Sequence, residues 1–283
     1  MRADLADRVA VVTGGARGIG LAVGTALARL GARVVLGDID PSVVQAAAGL
    51  PAPAAGGPPG PHRGLVLDVR DEQSCRELVE STVAKWGRVD VLVNCAGVAI
   101  VGNFTDLSAD EQDLQIDVNL HGVVRMTRLV LPGMLARRSG HIVNIASAAG
   151  RIPAPGAAVY TATKHAVVGL TESLRWETRR QGVRVSAVLP TVVTTEMAAG
   201  LRTPGLPVVS AEAVAATVVW LLRRSRAPGV VLVPRWFSVA VLADRVAPGW
   251  ARDLARRLIR VRARAGDPKR RAYLDRVGKQ IDT

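Results

Sequence analysis

Tyr160 and Lys164 stand four residues apart in Y-T-A-T-K, in a chain poor in both residue types. There are two tyrosines among 283 residues, and 4 of the 37 basic residues are lysine, the other 33 being arginine. A lysine in so arginine-rich a chain suggests a position that needs an ammonium and not a guanidinium. Four residues make about one helical turn, so in a helix the phenol and the amine share a face. A cation there favours the phenolate, and an ammonium is a compact charge that leaves room for a ligand. A surface Tyr/Lys pair on an ordinary helix would read the same way, so the decision falls to the rest of the chain.

Residues 8–20 read R-V-A-V-V-T-G-G-A-R-G-I-G. The β-branched run Val9 to Val12 leads into a glycine-rich turn, and an apolar helical pattern follows through Leu21, Val23, Leu27 and Leu30. Gly14, Gly18 and Gly20 are spaced to let a backbone approach a pyrophosphate, whose charge is then met by amides at a helix N-terminus. A second apolar run from Arg33 ends at Asp38, about 20 positions beyond the turn, where a carboxylate can accept hydrogen bonds from a ribose.

Taken together, T-G-G-A-R-G-I-G and the downstream Y-x-x-x-K resemble the short-chain dehydrogenase/reductase family over residues 5–235. Asp68 and Val69 resemble the pair that holds the adenine ring. Asn94-Cys95-Ala96-Gly97 resembles N-N-A-G with cysteine in second place. Asn119 in D-V-N-L, Ser147, Tyr160 and Lys164 match the family's catalytic set. Pro190 to Met197 resembles P-G-x-V-x-T, with Thr191 replacing the glycine, Val193 in register and Thr195 where the nicotinamide amide is contacted. The resemblance implies a cofactor site made of Gly14, Arg17, Gly18, Ile19, Gly20, Asp38, Asp68, Val69, Asn94, Ala96, Gly97, Tyr160, Lys164, Pro190, Val193 and Thr195.

It also implies an NAD(P)-dependent oxidoreductase that moves a hydride between the nicotinamide and an alcohol or ketone. Tyr160 would move the proton, Lys164 would stabilise the phenolate, Ser147 would orient the substrate oxygen, and Asn119 would fix a long central helix. A free phenol, with a pKa of about 10, is a poor base at neutrality, and lowering it by about three units requires roughly 4 kcal/mol. Asp38 would repel a 2′-phosphate and favours NAD over NADP. Arg17, where NADP-preferring relatives often keep a basic group, could instead serve the pyrophosphate or solvent.

The elements that must hold these groups alternate strand and helix, the pattern of a doubly wound α/β fold with one parallel sheet and helices on both faces. Strands are predicted to begin near Val9, Arg33, Leu65, Val89, His141, Arg184 and Val230, with helices over about 19–30, 72–86, 108–136, 157–181 and 211–224. The tract P-A-P-A-A-G-G-P-P-G-P at 51–61 reads as an exposed loop, and 194–210, with its glycines and prolines, as a second loop that the resemblance implies is a substrate lid beside the nicotinamide. Hydrophobic residues make up 49% and aromatics only 3%, which suits a core of Val, Leu, Ala and Ile on buried parallel strands. No charged-then-apolar leader and no spanning run are read, so a cytoplasmic protein is expected. Two cysteines without C-x-x-C and four dispersed histidines exclude a disulfide framework and a metal site. Cys95, beside the cofactor residues, could be oxidisable or a simple apolar filler.

Residues 1–235 therefore read as the dinucleotide-binding and catalytic domain and 236–283 as a basic, helical extension. From Trp250 onward there are 11 basic and 4 acidic residues, +7 of the formal +13. Trp250, Leu254, Leu258 and Val261 recur at helical spacing, with Arg252, Arg256, Arg260 and Arg262 around them. Such a helix can pack on its own domain, cover a partner subunit or lie on an anionic membrane surface. Nucleic acid is not expected, because no recognition motif accompanies the charge. The partners expected are an apolar alcohol or ketone (sterol, retinoid-like or long-chain) and further copies of the chain, as homodimer or homotetramer. A non-catalytic dinucleotide sensor or scaffold using its basic tail remains the alternative.

Overall fold

Val9–Thr13 (β1) is apolar on both faces, V-A-V-V-T, and every residue of it is buried. That is the signature of a strand with strands on either side and helices above and below. The computed structural model describes residues 5–52, 62–258, 261–263 and 267–281, with the side chains of residues 202 and 255–258 left aside. Most of the predicted Pro/Gly loop, residues 53–61, and the tail position Arg260 lie outside the described residues.

β1 is joined by Arg33–Asp38 (β2), Arg63–Val66 (β3), Val91–Asn94 (β4), Gly140–Ile145 (β5), Val183–Pro190 (β6) and Val230–Val233 (β7). Their order across the sheet is β7-β6-β5-β4-β1-β2-β3, and every pairing is parallel. The chain starts in the middle and winds outward both ways, so the order reverses between β1 and β4. Ligands of open α/β sheets bind at the carboxyl ends of the strands beside such a switch point.

Alternation along β1 sends Ala10 and Val12 to one face and Val11 to the other. Gly18–Ala28 (α1), Val43–Ala48 (α2) and, from late in the chain, Ala211–Leu222 cover the first face through Val23, Leu27, Val43, Val214 and Leu221. On the opposite face lie Glu72–Trp86 (α3), Ala109–Ile116 (α4), Gly122–Ala136 (α5) and Ala158–Thr178 (α6). The helix Ala211–Leu222 is α7. Helix ends follow local chemistry: Asp71 caps α3 by accepting from Gln73 N and Ser74 N, and Ser108 with Glu111 forms a reciprocal capping box on α4.

The structure departs from the sequence reading in two places. The helix expected over 108–136 is interrupted by a π-helical turn, Asp117–His121, centred on Asn119. The tail is not one helix. Phe237–Val246 (α8) and Gly249–Leu258 (α9) come first, then Arg262 and Ala263 pair antiparallel with Arg202 and Leu201, and Pro268–Gly278 (α10) returns to the body of the protein. Val261 does not continue the helical stripe. Its N–H donates to Pro155 O at 2.9 Å, and its side chain is buried. Trp250 and Leu254 on α9 are exposed. No described helix is long and apolar enough to cross a membrane.

Candidate active site

The carboxyl ends of β1, β2, β3, β4, β5 and β6 carry the predicted residues along one edge of the sheet. Gly14 has φ +68°, a left-handed conformation that disfavours any side chain, and a Cβ there would come within 2.9 Å of the Ala96 backbone. A Cβ on Gly20 would strike the Gly14 carbonyl. The turn is thus pressed against the exit of β4 and against itself, leaving α1 to begin at Gly18 with its first amides uncapped by any side chain. Free amides, a close-lying backbone and a helix N-terminus fit the diphosphate of a dinucleotide. Thr13 Oγ1 ties the two banks by accepting from Cys95 N at 3.0 Å and Ala96 N at 3.1 Å.

At the outer end, Asp38 closes β2 and accepts from Ala16 N and Asp40 N, both at 3.0 Å. Those bonds aim the carboxylate across the turn and leave lone pairs for ribose hydroxyls. Arg17 is not left to solvent or to a phosphate: it pairs with Asp40 and, at 3.3 Å, with Glu196. Asp68 is gripped by Arg70 through Nε and Nη2 and so presents an arginine-neutralised carboxylate, with Val69 buried beside it.

Asn94 corrects the sequence reading. Its side chain is buried and donates to Asn144 Oδ1 at 2.9 Å and Thr127 Oγ1 at 3.3 Å. Asn144 in turn donates to Thr171 Oγ1 at 2.8 Å. These side chains form a polar rivet between β4, β5, α5 and α6, so Asn94 shapes the strand end but points its amide into the protein. Gly97 does line the cleft, where a Cβ would lie 3.6 Å from Lys164 Nζ, whereas Ala96 packs its backbone against Gly14 and does not line the cavity.

The catalytic candidates converge. Asn119 Oδ1 accepts from Val98 N and its Nδ2 donates to Val98 O, both at 2.9 Å, so one side chain mimics a strand partner for the β4 exit. The π turn is what turns that amide inward, a use of π-bulges common at functional sites. Ser147 caps a short 3₁₀ turn, accepting from Ala149 N at 3.1 Å, and its hydroxyl also bonds Tyr160. Lys164 is 5% exposed, donates to Ile145 O at 3.3 Å and lies 5.6 Å from the Tyr160 ring centre.

Burial dominates the electrostatics of this pair. It pushes the Tyr160 phenol up to about 12 against the opposing pull of the Ser147 bond, and it pushes the Lys164 ammonium down to about 8. Burial also drives Cys95 up to about 12 and Cys75 up to about 11, so both thiols stay protonated at neutrality and are poor nucleophiles. The oxidisable reading of Cys95 therefore gives way to the apolar-filler one.

A cavity of about 170 Å³ opens beside these groups. It is bounded by Ile19 and Cys95 on the cofactor side, by Ser147, Tyr160 and Lys164, and by Pro190, Val193 and Thr195 at the β6 exit. Its far wall is Val101, Ile152, Leu201, Leu206, Phe237 and Val261, an apolar lining in which Phe237 and Val261 come from the tail. Two other tail aromatics, Trp236 and Trp250, face solvent. Asp38, Asp68 and Val69 lie off this cavity, toward the β2 and β3 edge. The histidines do no site work: His141 is buried at the opposite end of the sheet against Ser186, and His165 is exposed. Among the described residues no cluster of three or more His, Cys, Asp or Glu could hold a metal ion.

Sequence reading missed Thr13, Glu196, Arg270 and Tyr273. Tyr273 carried a signal, being the second of only two tyrosines. Its hydroxyl accepts from Ala99 N at 2.9 Å, at the wall of the cavity.

The family described as short chain dehydrogenase matches residues 8–204. The Escherichia coli (strain K12) protein named oxidoreductase UcpA is 40% identical over 206 residues, covering 72% of this chain and 76% of that one. A short chain dehydrogenase/reductase from Burkholderia phymatum, solved in complex with NAD, superposes with a TM-score of 0.75 at 29% identity, over 86% of this chain and 94% of that one. A metagenomic short-chain oxidoreductase solved with NADP gives a TM-score of 0.70 at 34% identity, over 81% and 97%.

Proposed function

The chain belongs to the short-chain dehydrogenase family of oxidoreductases, and on that premise we propose that it transfers a hydride between NAD and an apolar ketone or alcohol. The observation that carries the substrate class is the cavity: an apolar wall that includes Val101, Phe237 and Val261, with the hydroxyls of Ser147 and Tyr160 and the Lys164 amine as its polar floor. One small polar cluster in an apolar cavity orients a molecule with a single oxygen function and an otherwise greasy body.

When bound, a nicotinamide supplies the hydride donor or acceptor at C4 and, oxidised, a positive charge. This chain's residues supply the rest. Ser147 and Tyr160 hydroxyls meet the substrate oxygen, which fixes its orientation and stabilises charge developing there. Burial keeps the Tyr160 phenol protonated at neutrality, so it can donate a proton to a carbonyl oxygen that receives the hydride. Lys164, at about 8, is charged at neutral pH and ready to stabilise the phenolate that results. Asn119 holds the Val98 backbone and thereby the Gly97 approach to Lys164.

The preference for NAD rests on charge. Arg17 is already engaged by Asp40 and Glu196, and Asp38 stands where a 2′-phosphate would bring two more negative charges. Residues 1–235 form the catalytic unit in this reading, and 236–283 add cavity wall and cover. The test is a fluorescence titration with NADH and NADPH followed by a panel of apolar ketones and aldehydes, monitored at the nicotinamide absorbance. Tighter NADH binding and turnover of at least one bulky apolar carbonyl are expected. Tighter NADPH binding would overturn the cofactor choice, and turnover confined to small polar polyols would overturn the substrate class.

A further inference from the structure

Arg270 is 3% exposed, and its guanidinium donates to Met197 O at 3.0 Å and to Ala99 O at 2.9 Å. No carboxylate pairs with that guanidinium among the described residues. A buried cation held by two carbonyls and the face of the Tyr273 ring, 4.8 Å from its centre, with no carboxylate beside it, is an expensive choice if cohesion alone is the purpose. The two carbonyls belong to different parts of the site: Met197 lies in the lid segment 194–210, and Ala99 lies on the loop leaving β4. Three residues on, Tyr273 accepts from Ala99 N, so one helix holds both the N–H and the C=O of the same cavity-wall residue.

The ties continue along the helix. Arg276 pairs with Glu196, and Glu196 also reaches Arg17 in the glycine turn at 3.3 Å. Beyond the helix end, the Gln280 carbonyl accepts from Arg70, the residue that grips Asp68. Upstream, Ala263 and Arg262 pair with Leu201 and Arg202 of the lid. The return of the chain therefore touches the lid, the glycine turn and the exits of β3 and β4, the two banks of the cleft that receives the dinucleotide.

We propose that α10 is a clasp that holds the 194–210 lid shut across the cleft, with Arg270 and Tyr273 as its positioning residues. The lid cannot swing outward while Arg270 joins Met197 to Ala99, so lid and tail open together, and bound cofactor leaves only after α10 lifts. The lid half of this inference is independent of chemistry. The cofactor half rests on the nicotinamide reading above.

The test uses the full chain and hydrogen exchange by mass spectrometry on the parent, Arg270→Met, Arg270→Lys and Tyr273→Phe. Tyr273→Phe keeps the ring and deletes only the acceptor for Ala99 N, which guards against a variant that fails to fold. Loss of a buried hydrogen bond in either position should speed exchange of lid amides 195–203 and of Ala99 by about tenfold, with β1 and β4 unchanged. Arg270→Lys, able to reach one carbonyl, should fall between. Stopped-flow release of NADH should accelerate by about fivefold or more in parallel. Unchanged lid exchange in folded variants, or equal acceleration through the central strands, would overturn the clasp, as would faster lid exchange with NADH release unaltered. If the parent binds no NADH, the nicotinamide reading fails, while the exchange data still decide whether α10 holds the lid.

Discussion

Replacing Lys164 by methionine should make the protein more stable at neutral pH, because the amine is present at a thermodynamic cost. Its ammonium is buried, and burial lowers its pKa from the ordinary 10.5 to about 8. At about 1.36 kcal/mol per pH unit, that drop corresponds to on the order of 3 kcal/mol of penalty wherever both states are protonated. The sign follows from proton counting. Between about 8 and 10.5 the unfolded chain keeps the proton and the folded protein has lost it, so parent stability gains with rising pH across that window. Below about 8 the penalty is fully present. Methionine fills similar space without charge but forfeits the bond to Ile145 O, worth about 1 kcal/mol, which leaves a net gain of roughly 2 kcal/mol at pH 7. Urea unfolding of parent and Lys164→Met at pH 7, 8, 9 and 10 reads the difference directly, and thiol titrations common to both chains cancel. The gap should shrink as pH rises. A variant less stable than the parent at pH 7, or a gap that stays flat to pH 10, would refute the claim that an ammonium is kept here for chemistry at the expense of stability.

Asp38→Ala should narrow or reverse the preference for NADH over NADPH by about tenfold or more, about 1.4 kcal/mol, in parallel fluorescence titrations. A parent that already prefers NADPH contradicts the assignment. Truncation after Ala247 removes the buried Tyr273 and Val277 from the core, so an unfolding free energy lowered by on the order of 4 kcal/mol, read as a lower denaturant midpoint, and weaker NADH binding are expected. An undisturbed midpoint would make the tail an appendage. Light scattering at micromolar concentration should give at least a dimer, because α5 and α6 are long and α6 leaves Trp176 in solvent. A monomer would contradict that proposal.

Most of the parallel strands were legible because they are short runs rich in β-branched residues, β3 (R-G-L-V) being the exception, and the Tyr160/Lys164 spacing placed both side chains on one face of α6. Local pattern carries such features. Features made by distant contacts were not legible. The π turn at Asn119 exists because its amide satisfies Val98, 21 residues away, and no periodicity announces it. Asn94 sits in a motif whose position suggests the cleft, yet its amide is claimed by Asn144 on the neighbouring strand. Arg17 was read as a phosphate or solvent group because its partners, Asp40 and Glu196, are 23 and 179 positions away. In the tail, helical spacing ran through Val261, but that residue instead turns extended to bond Pro155 and wall the cavity. Helix α10 is polar on most of its surface, and its work is done by side chains reaching backbone carbonyls, for which sequence has no signature.

The central claim is that Tyr160 moves the proton in a nicotinamide-linked carbonyl reduction, and Tyr160→Phe tests it most directly. Single-turnover oxidation of bound NADH by an apolar ketone that the parent reduces should fall at least about a thousandfold, within the range that removal of a positioned general acid produces. NADH affinity should stay within about threefold, since phenylalanine keeps the ring. Turnover within tenfold of the parent, with NADH still bound, would show that another group supplies the proton and would contradict the account.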